Sequence, residues 1–411
     1  MSGGTRSYEW TARLAARGHE VHVVTSHTTG KTQLPTGPLD GIHVHWISIP
    51  YDNSMTPRER LWAFLRFALL ASTQARRLNP DLVVATSTPL TIILPAIAAI
   101  WRRNVPMVFE VRDLWPEIPI AMGALRDPVS KYLARQLERM SYKHATRVIA
   151  LSPEMAAGIE AAGYPPSAIS LVPNASDEAL FRPPGLDGAT AAFRDDRPWL
   201  RDRPLVLYAG TLGKANDVSF LPAVAAHCVD LMPELRFLVA GAGAEEELVR
   251  STARRLQVLD RNFFMMPPVA KDAMPVLLSA ATVTASLFAD IPALTANSPN
   301  KVFDSLAAER PVAVNTAGSL SALLEATGSG VTLSRQPALA AKKLCDFLGD
   351  ESALARARAA ASRLGGTTFS RDRLFLRFER TLMEASREGR AVHRLTPRNH
   401  LDESPTSWTF D

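Results

Sequence analysis

The sequence predicts an α/β chain of two Rossmann-like domains facing across a cleft, with the first strand of the N-terminal domain missing. Three observations carry this prediction. Short apolar runs of strand type alternate with helical patterns over residues 21–172, and again over 205–314, as parallel sheets with helices on both faces require. A chain of 411 residues is too long for one core and suits two. Between the two runs, residues 175–203 turn rich in Pro, Gly, Asp and Arg (Pro183, Pro184, Gly185, Asp187, Asp195, Asp196), which reads as a linker. The expected division is an N-terminal domain over 1–174, a linker over 175–203 and a C-terminal domain over 204–369. A C-terminal helix over 370–388 and a disordered tail over 389–411 follow.

In the first half, Ser2-Gly3-Gly4-Thr5 reads as a glycine turn opening a helix that runs to Arg17 and is capped by Gly18. Residues 21–25 (VHVVT) read as a buried strand. In a doubly wound domain such a glycine turn follows a strand. Only Met1 and Ser2 precede it here, so a strand-like segment upstream of Met1 is expected. Residues 42–49 alternate as a strand. Residues 57–78 form a helix with Leu61, Phe64, Leu65, Ala68 and Leu69 on one face, and Arg58, Arg60, Arg66, Arg76 and Arg77 around it. That pattern fits a crossover helix packed on the sheet, or one dipping into an anionic lipid surface. Strand, helix and strand follow at 81–86, 90–101 and 105–111. Arg112-Asp113 and Glu117 then stand at a strand's carboxyl end, where ligand sites of this architecture lie. A carboxylate there can take a proton from an acceptor hydroxyl, or simply pair with the arginine. Residues 128–144, 147–151, 153–162 and 169–172 complete the half, closed by Pro173-Asn174.

The second half opens with strand 205–209 and the turn Gly210-Thr211-Leu212-Gly213-Lys214, whose glycines let backbone N–H groups approach an anion. After a helix at 217–230 and a strand at 236–240 comes Gly241-Ala242-Gly243, a shortened dinucleotide fingerprint with Glu246 where the third glycine belongs. Helix 244–256, strand 263–266, helix 271–280 and strand 283–287 lead to residues 297–315, a loop, a helix and a strand. Ser298 is the expected cap of that helix, with Pro299 in its first turn. Its N-terminus suits phosphate, and Asp304 further along can accept hydrogen bonds from sugar or ribose hydroxyls. An ordinary crossover with a surface Asp fits the stretch equally well.

Composition narrows the function. With 46% hydrophobic and 21% charged residues the chain is globular. Cys228 and Cys345 fall in helical patterns and read as buried thiols, which fits a reducing cytoplasm. The first 20 residues carry no apolar core of a signal peptide, and the run at 90–101 is too short to span a membrane. A net charge of +5 and a pI near 9.3 permit anionic ligands. No arginine-rich block, zinc spacing or aromatic ribonucleoprotein motif is present, so nucleic acid is not expected. No Asp-x-Asp pair or histidine spacing suggests a metal, and the Walker and Gly-x-Ser-x-Gly patterns are absent.

Taken together, several motifs resemble one family. They are Gly3-Gly4 with Ala-Arg-Gly-His-Glu-Val at 16–21, Leu-Val-Pro-Asn-Ala-Ser at 171–176 with Phe-Arg-Pro at 181–183, Tyr-Ala-Gly-Thr-Leu-Gly at 208–213, and Ser-Pro-Asn-Lys-Val-Phe-Asp at 298–304. In this order they resemble the family 4 retaining glycosyltransferases of the GT-B fold over residues 2–385. The stretches at 51–55 and 109–117 are similar to the bacterial surface-polysaccharide branch that includes N-acetyl-L-fucosaminyltransferases of O-antigen synthesis.

The resemblance implies an NDP-sugar donor, usually UDP-linked, held by the second domain, with no cofactor and no metal. It implies an undecaprenyl-diphosphate-linked acceptor on the first domain, at the cytoplasmic face of the membrane. Gly3 and Gly4 would approach donor phosphates or sugar. Gly210, Thr211, Gly213 and Lys214 would meet the diphosphate. Asn297, Ser298, Pro299, Asn300 and Lys301 would contact sugar or phosphate, and Asp304 the ribose. Asp113, Arg112 and Glu117 are the candidates for catalysis. Three positions depart from the family: Ala296 stands where a first acid belongs, Arg112 where a His is frequent, and Glu309 where Gly is usual. They leave open a weakly active donor-binding relative. A nucleotide-sugar epimerase of the same fold would need paired carboxylates and a His, and no such set can be assigned.

Overall fold

All the strand ladders in this computed structural model are parallel, among the residues it describes: 6–27, 39–51, 55–395 and 408. The chain divides into two units, one of residues 4–173 and 375–405, the other chiefly of residues 174–374.

The N-terminal unit runs α1 (Arg6–Ala16), β1 (Val21–His27), β2 (Ile42–Ser48), α2 (Pro57–Arg77), β3 (Val83–Thr86), α3 (Ile93–Ile100), β4 (Met107–Val111), α4 (Glu117–Ala121), α5 (Pro128–His144), β5 (Arg147–Ala150), α6 (Pro153–Ala161) and β6 (Ile169–Leu171). β1 and β2 form a two-stranded sheet, and β3-β4-β5-β6 a four-stranded one. The expected upstream strand precedes Met1 and lies outside the described residues. α2 begins with a capping box, in which Thr56 and Glu59 satisfy each other's backbone N–H groups. All five residues of β4 are buried, Glu110 included. A buried carboxylate must be paired, and Arg6 supplies the partner. Its Nε lies 2.8 Å from Glu110 Oε1, while Thr86 Oγ1 donates to Oε2 at 2.8 Å. Arg6 also donates to the Pro173 and Val172 carbonyls at 2.5 and 2.7 Å, so it ties α1 to β4 and to the end of the half.

The C-terminal unit holds α7 (Glu178–Phe181), α8 (Leu186–Asp195), β7 (Leu205–Ala209), α9 (Phe220–Leu231), β8 (Arg236–Ala240), α10 (Glu246–Arg255), β9 (Phe263–Met266), α11 (Met274–Ala280), β10 (Val283–Ser286), α12 (Asn300–Ala307), β11 (Val312–Val314), α13 (Ser319–Thr327), β12 (Gly330–Thr332), α14 (Pro337–Gly349) and α15 (Glu351–Gly366). α16 (Arg371–Glu388) begins here and from Phe375 belongs to the N-terminal unit, where Phe378 stacks on Trp10 at 5.4 Å. The sheet order is β12-β11-β10-β7-β8-β9. Successive strands therefore run outward from β7 in one direction and from β10 in the other, making a topological switch point between these two strands. Apolar residues fill both faces. Val206, Tyr208, Phe237 and Val239 pack with α9 and α14 on one side. Leu205, Leu207, Leu238 and Ala240 pack toward the other.

Three expectations are corrected. Residues 175–203 are not a free linker: they carry α7 and α8, and Phe181 and Leu200 are buried in the C-terminal core. Apolar burial of these anchors outweighs the linker-like composition. Ser298 does not cap α12: the N-cap is Pro299, which offers no side-chain hydrogen bond, and the helix starts at Asn300. Ser298 instead accepts a hydrogen bond from the Asn174 amide (3.5 Å), and its carbonyl accepts one from Asn174 Nδ2 (2.6 Å). Within the expected tail, Trp408 packs edge-on to Phe369 and the His393 amide donates to the Lys143 carbonyl at 2.9 Å. Residues 396–407 and 409–411 lie outside the described residues.

Glu309 has the left-handed backbone that its glycine-like position requires, with φ of 59°. Its carboxylate meets Arg182 at 3.0 Å and Ser362 at 2.9 Å, which offsets the strain. Cys228 and Cys345 are buried free thiols on α9 and α14.

Candidate functional site

The switch point puts the ends of β7 and β10 together, and the residues that follow both strands converge there. The turn after β7 is built by close backbone packing. Gly210 N donates to the Ala240 carbonyl, and Leu212 N to Ala242, both at 3.0 Å. A Cβ on Gly241 would lie 1.9 Å from the Gly210 carbonyl oxygen, and one on Gly243 2.2 Å from that of Leu212. Gly241-Ala242-Gly243 is thus the platform on which the Gly210–Gly213 turn rests, which accounts for the two glycines without a dinucleotide. Gly210 itself has φ of 153°.

Lys301, on the first turn of α12, reaches this turn. Its Nζ donates to Tyr208 Oη at 2.9 Å and lies 4.2 Å above the Tyr208 ring. Burial lowers its pKa to about 8. A Cβ on Gly210 would come within 3.2 Å of the ammonium, so a side chain there would push it aside. In the loop entering α12, Asn297 Oδ1 is a buried acceptor with no partner among the described residues. Pro299 precedes the helix and Asn300 opens it, exposed. One turn beyond Lys301, Asp304 is pushed up to about 6 by burial, against the Ser176 hydroxyl and the charges of Arg371 and Lys271. Thr211 and Lys214 are exposed, and Gly213 is half-buried. The stretch 208–214 and the stretch 297–304 therefore do come together, as uncapped helix start, glycine turn, desolvated ammonium and buried carboxyl.

In the N-terminal unit, Asp113 follows β4 and is pushed up to about 6 by burial, opposed by Arg112. The Arg112 amide donates to the buried Ser87 hydroxyl at 2.9 Å, which fixes the loop. Glu117 opens α4 and lies 3.6 Å from Arg135, both about half exposed. Gly3 and Gly4 lie outside the described residues.

Four residues of consequence escaped the sequence reading. Glu138 on α5 rises to about 7 through burial and the Glu117 charge, opposed by a hydrogen bond from Tyr142. Arg6 and Glu110 are 104 residues apart and gave no local signal. Tyr208 had one: it is the only residue with a polar side chain in the strand LVLYA. Among the described residues no three His, Cys, Asp or Glu are placed to hold a metal ion.

Comparison with known proteins places these features in context. Residues 3–175 match the family model described as glycosyl transferase 4-like domain, and residues 203–350 that of glycosyl transferases group 1. No curated protein matches the sequence. Among solved structures, sucrose-phosphate synthase from Thermosynechococcus elongatus is similar with a TM-score of 0.74 and 18% identity, covering 93% of each chain. Anabaena Alr3699/HepE in complex with UDP-glucose gives 0.65 at 17% identity, over 89% of this chain and 100% of that one. WaaG, a glycosyltransferase involved in lipopolysaccharide biosynthesis, gives 0.65 at 14%, over 91% and 93%. At these identities the likeness is one of fold, the two-domain GT-B architecture.

Proposed function

We propose that this chain, whose first domain matches the glycosyl transferase 4-like domain and whose second matches glycosyl transferases group 1, is a glycosyltransferase that moves a sugar from a UDP-sugar to a lipid-diphosphate-linked glycan, with retention at the anomeric carbon. The N-acetylated deoxyhexosamine suggested by the motifs at 51–55 and 109–117 is the proposed sugar. The observation that carries the donor reading is the Lys301 ammonium, half-buried beside the Gly210 turn at the sheet's switch point. A half-buried cation next to backbone N–H groups suits a diphosphate, whose negative charge grows as the sugar leaves. That the fold neighbour HepE was solved with UDP-glucose supports the same reading.

In this proposal Thr211 and Gly213 offer backbone N–H groups to the diphosphate and Gly210, whose own N–H is taken by the Ala240 carbonyl, leaves room for it to approach, with Lys214 and Lys301 supplying charge. Asn297, Ser298, Pro299 and Asn300 line the sugar and phosphate through the loop. Asp304 accepts from ribose hydroxyls. Asp113, poised near neutrality, orients the acceptor hydroxyl. Arg112 opposes the carboxyl's burial, and Glu117 pairs with Arg135 behind it. The leaving phosphate takes the acceptor proton on the face where the sugar departs.

No helix among the described residues is long and apolar enough to cross a membrane. α2 instead supports docking at the inner leaflet. Trp62 and Leu69 are 73% and 72% exposed, and exposed Arg58, Arg66, Arg76 and Arg77 flank them. Incubation with UDP-sugars and a lipid-diphosphate glycan should release UDP and give a product of retained anomeric configuration by NMR. Failure of every UDP-sugar to bind or turn over would sink the reading. Co-sedimentation with anionic vesicles, abolished by Trp62→Ser with Leu69→Ser, tests the docking.

A further inference from the structure

We propose that Tyr208 is a positioning residue for donor binding: its hydroxyl, anchored on the turn itself, aims the Lys301 ammonium at the leaving diphosphate. This rests on the reading of the C-terminal domain as the UDP-sugar site.

The geometry is a relay of two hydrogen bonds. Lys301 Nζ donates to Tyr208 Oη at 2.9 Å, and Tyr208 Oη donates to the Thr211 carbonyl at 2.8 Å. The phenol is fully occupied by this arrangement. Its proton goes to Thr211 and its lone pair receives the lysine, so its orientation is set from both ends. The ring is 0% exposed in the C-terminal core and cannot swing away. An ammonium has three N–H groups. Among the described residues Tyr208 is the one hydrogen-bond partner of the Lys301 ammonium, which leaves two N–H groups beside the Gly210 turn. A flexible four-carbon side chain would otherwise lose more conformational freedom when an anion arrives.

The surroundings favour an anion as the absent partner. Burial is what lowers the Lys301 pKa, and no carboxylate offsets it. Tyr208 is the titratable group facing it from β7; Asp304 lies one turn on along α12. A cation desolvated without a counter-charge is costly unless a ligand supplies the charge. Lys214, by contrast, sits exposed on the turn. Lys301 is then the main diphosphate cation, with Tyr208 setting its place.

The test is UDP binding by titration calorimetry on the full chain, from pH 6 to pH 9.5, with four proteins: wild type, Tyr208→Phe, Lys301→Met and the double variant. Wild type should bind UDP with an affinity that falls above about pH 8, where the free lysine loses its proton. Binding near that pH should take up roughly half a proton per site, read from buffers of different ionisation enthalpy. Tyr208→Phe keeps the ring and should weaken UDP about tenfold, the effect of one hydrogen bond to a charged group. It should also move the alkaline limb to lower pH, because the ammonium loses an acceptor. In the Lys301→Met background the same change should cost less than about twofold. An equal loss in both backgrounds, or an unmoved alkaline limb, would show a merely structural tyrosine and overturn the proposal. Absence of UDP binding by the wild type at every pH would instead overturn the donor reading beneath it.

Discussion

Arg6 and Glu110 offer the sharpest test of how the N-terminal unit is held together. Both side chains are 3% exposed, and Arg6 bonds Glu110 and two carbonyls at the unit's far end. Arg6→Met leaves the Glu110 carboxylate buried with the Thr86 hydroxyl, and strips a donor from the Val172 and Pro173 carbonyls. Breaking one side of a buried pair costs about 3–5 kcal/mol. For a unit of about 200 residues, each kcal/mol lowers the melting temperature by about 2–4 °C, so the N-terminal transition should fall by about 12 °C. Glu110→Gln should cost about half as much, since Arg6 keeps both carbonyls and can still donate to the amide oxygen. Differential scanning calorimetry, following the two units as separate transitions, reads these shifts. Burial raises the Glu110 pKa, but Arg6, Thr86 and Arg112 more than offset it, and the net direction is down from 4.5. The contribution is therefore present above pH 4.5 and lost as pH falls through the lower, folded-state value. Wild type should lose stability in that acid window, and Glu110→Gln should lose less. A drop below about 3 °C for Arg6→Met, or a larger loss for Glu110→Gln than for Arg6→Met, would refute the reasoning.

Further outcomes are expected in the C-terminal unit. Gly241→Ala sets a methyl 1.9 Å from the Gly210 carbonyl and must displace the turn, so UDP affinity should fall more than about tenfold while the fold survives by circular dichroism; an unchanged affinity would separate the turn from the site. UDP-glucose, whose diphosphate does not titrate in this range, should bind best between about pH 6, where Asp304 becomes charged, and about pH 8, where Lys301 ceases to be; Asp304→Asn should remove the acid limb alone. Glu309→Gly relieves about 1 kcal/mol of left-handed strain but loses the Arg182 and Ser362 contacts, so stability by denaturant titration should barely change. Glu309→Ala keeps the strain and loses the contacts, and should cost about 1–2 kcal/mol; if Ala matched Gly, the left-handed backbone would not be a source of strain.

What was legible in the sequence was local. β4, β7 and β8 are buried on both faces, so each reads as a nearly unbroken apolar run, and candidate site residues fall in the loops after β4 and β7. The left-handed backbone at Glu309 was legible only through the family resemblance, which has a glycine at that position. What failed were judgements that depend on distant partners. Ser298 looks like a cap because Ser before a helix usually is one. Its hydroxyl is taken by the Asn174 amide, 124 residues away, and the helix starts later. Residues 175–203 look like a linker because Pro, Gly and Asp disfavour regular structure. Yet Phe181 and Leu200, 2% and 0% exposed, decide their fate by burial against β7, β8 and α11.

Gly241-Ala242-Gly243 shows how a motif can be right in residue type and different in purpose. Two glycines after a parallel strand suggest a bound pyrophosphate because that is one reason for a backbone to lack side chains. Here another βα turn occupies the space, its carbonyls lying where the Cβ atoms would be. The same requirement, close approach by something flat and polar, is met by the protein's own chain. In the proposed site the anion-binding role falls one strand over, to the Gly210 turn that this platform supports. That turn is also where the sheet's strand order reverses between β7 and β10, and where α12 brings Lys301. A single apolar-looking strand, LVLYA, carries the one phenol that touches both the turn's carbonyl and the incoming lysine. Position in the sheet, not motif strength, therefore selects among the glycine turns of this domain. Exchanging the sites' roles by mutation should follow that order: substitutions at Gly210 should act on ligand affinity directly, and those at Gly241 only by moving Gly210. A Gly241→Ala protein should therefore recover no affinity when Lys301 is also changed to Arg, because the defect is in the turn's place and not in its charge.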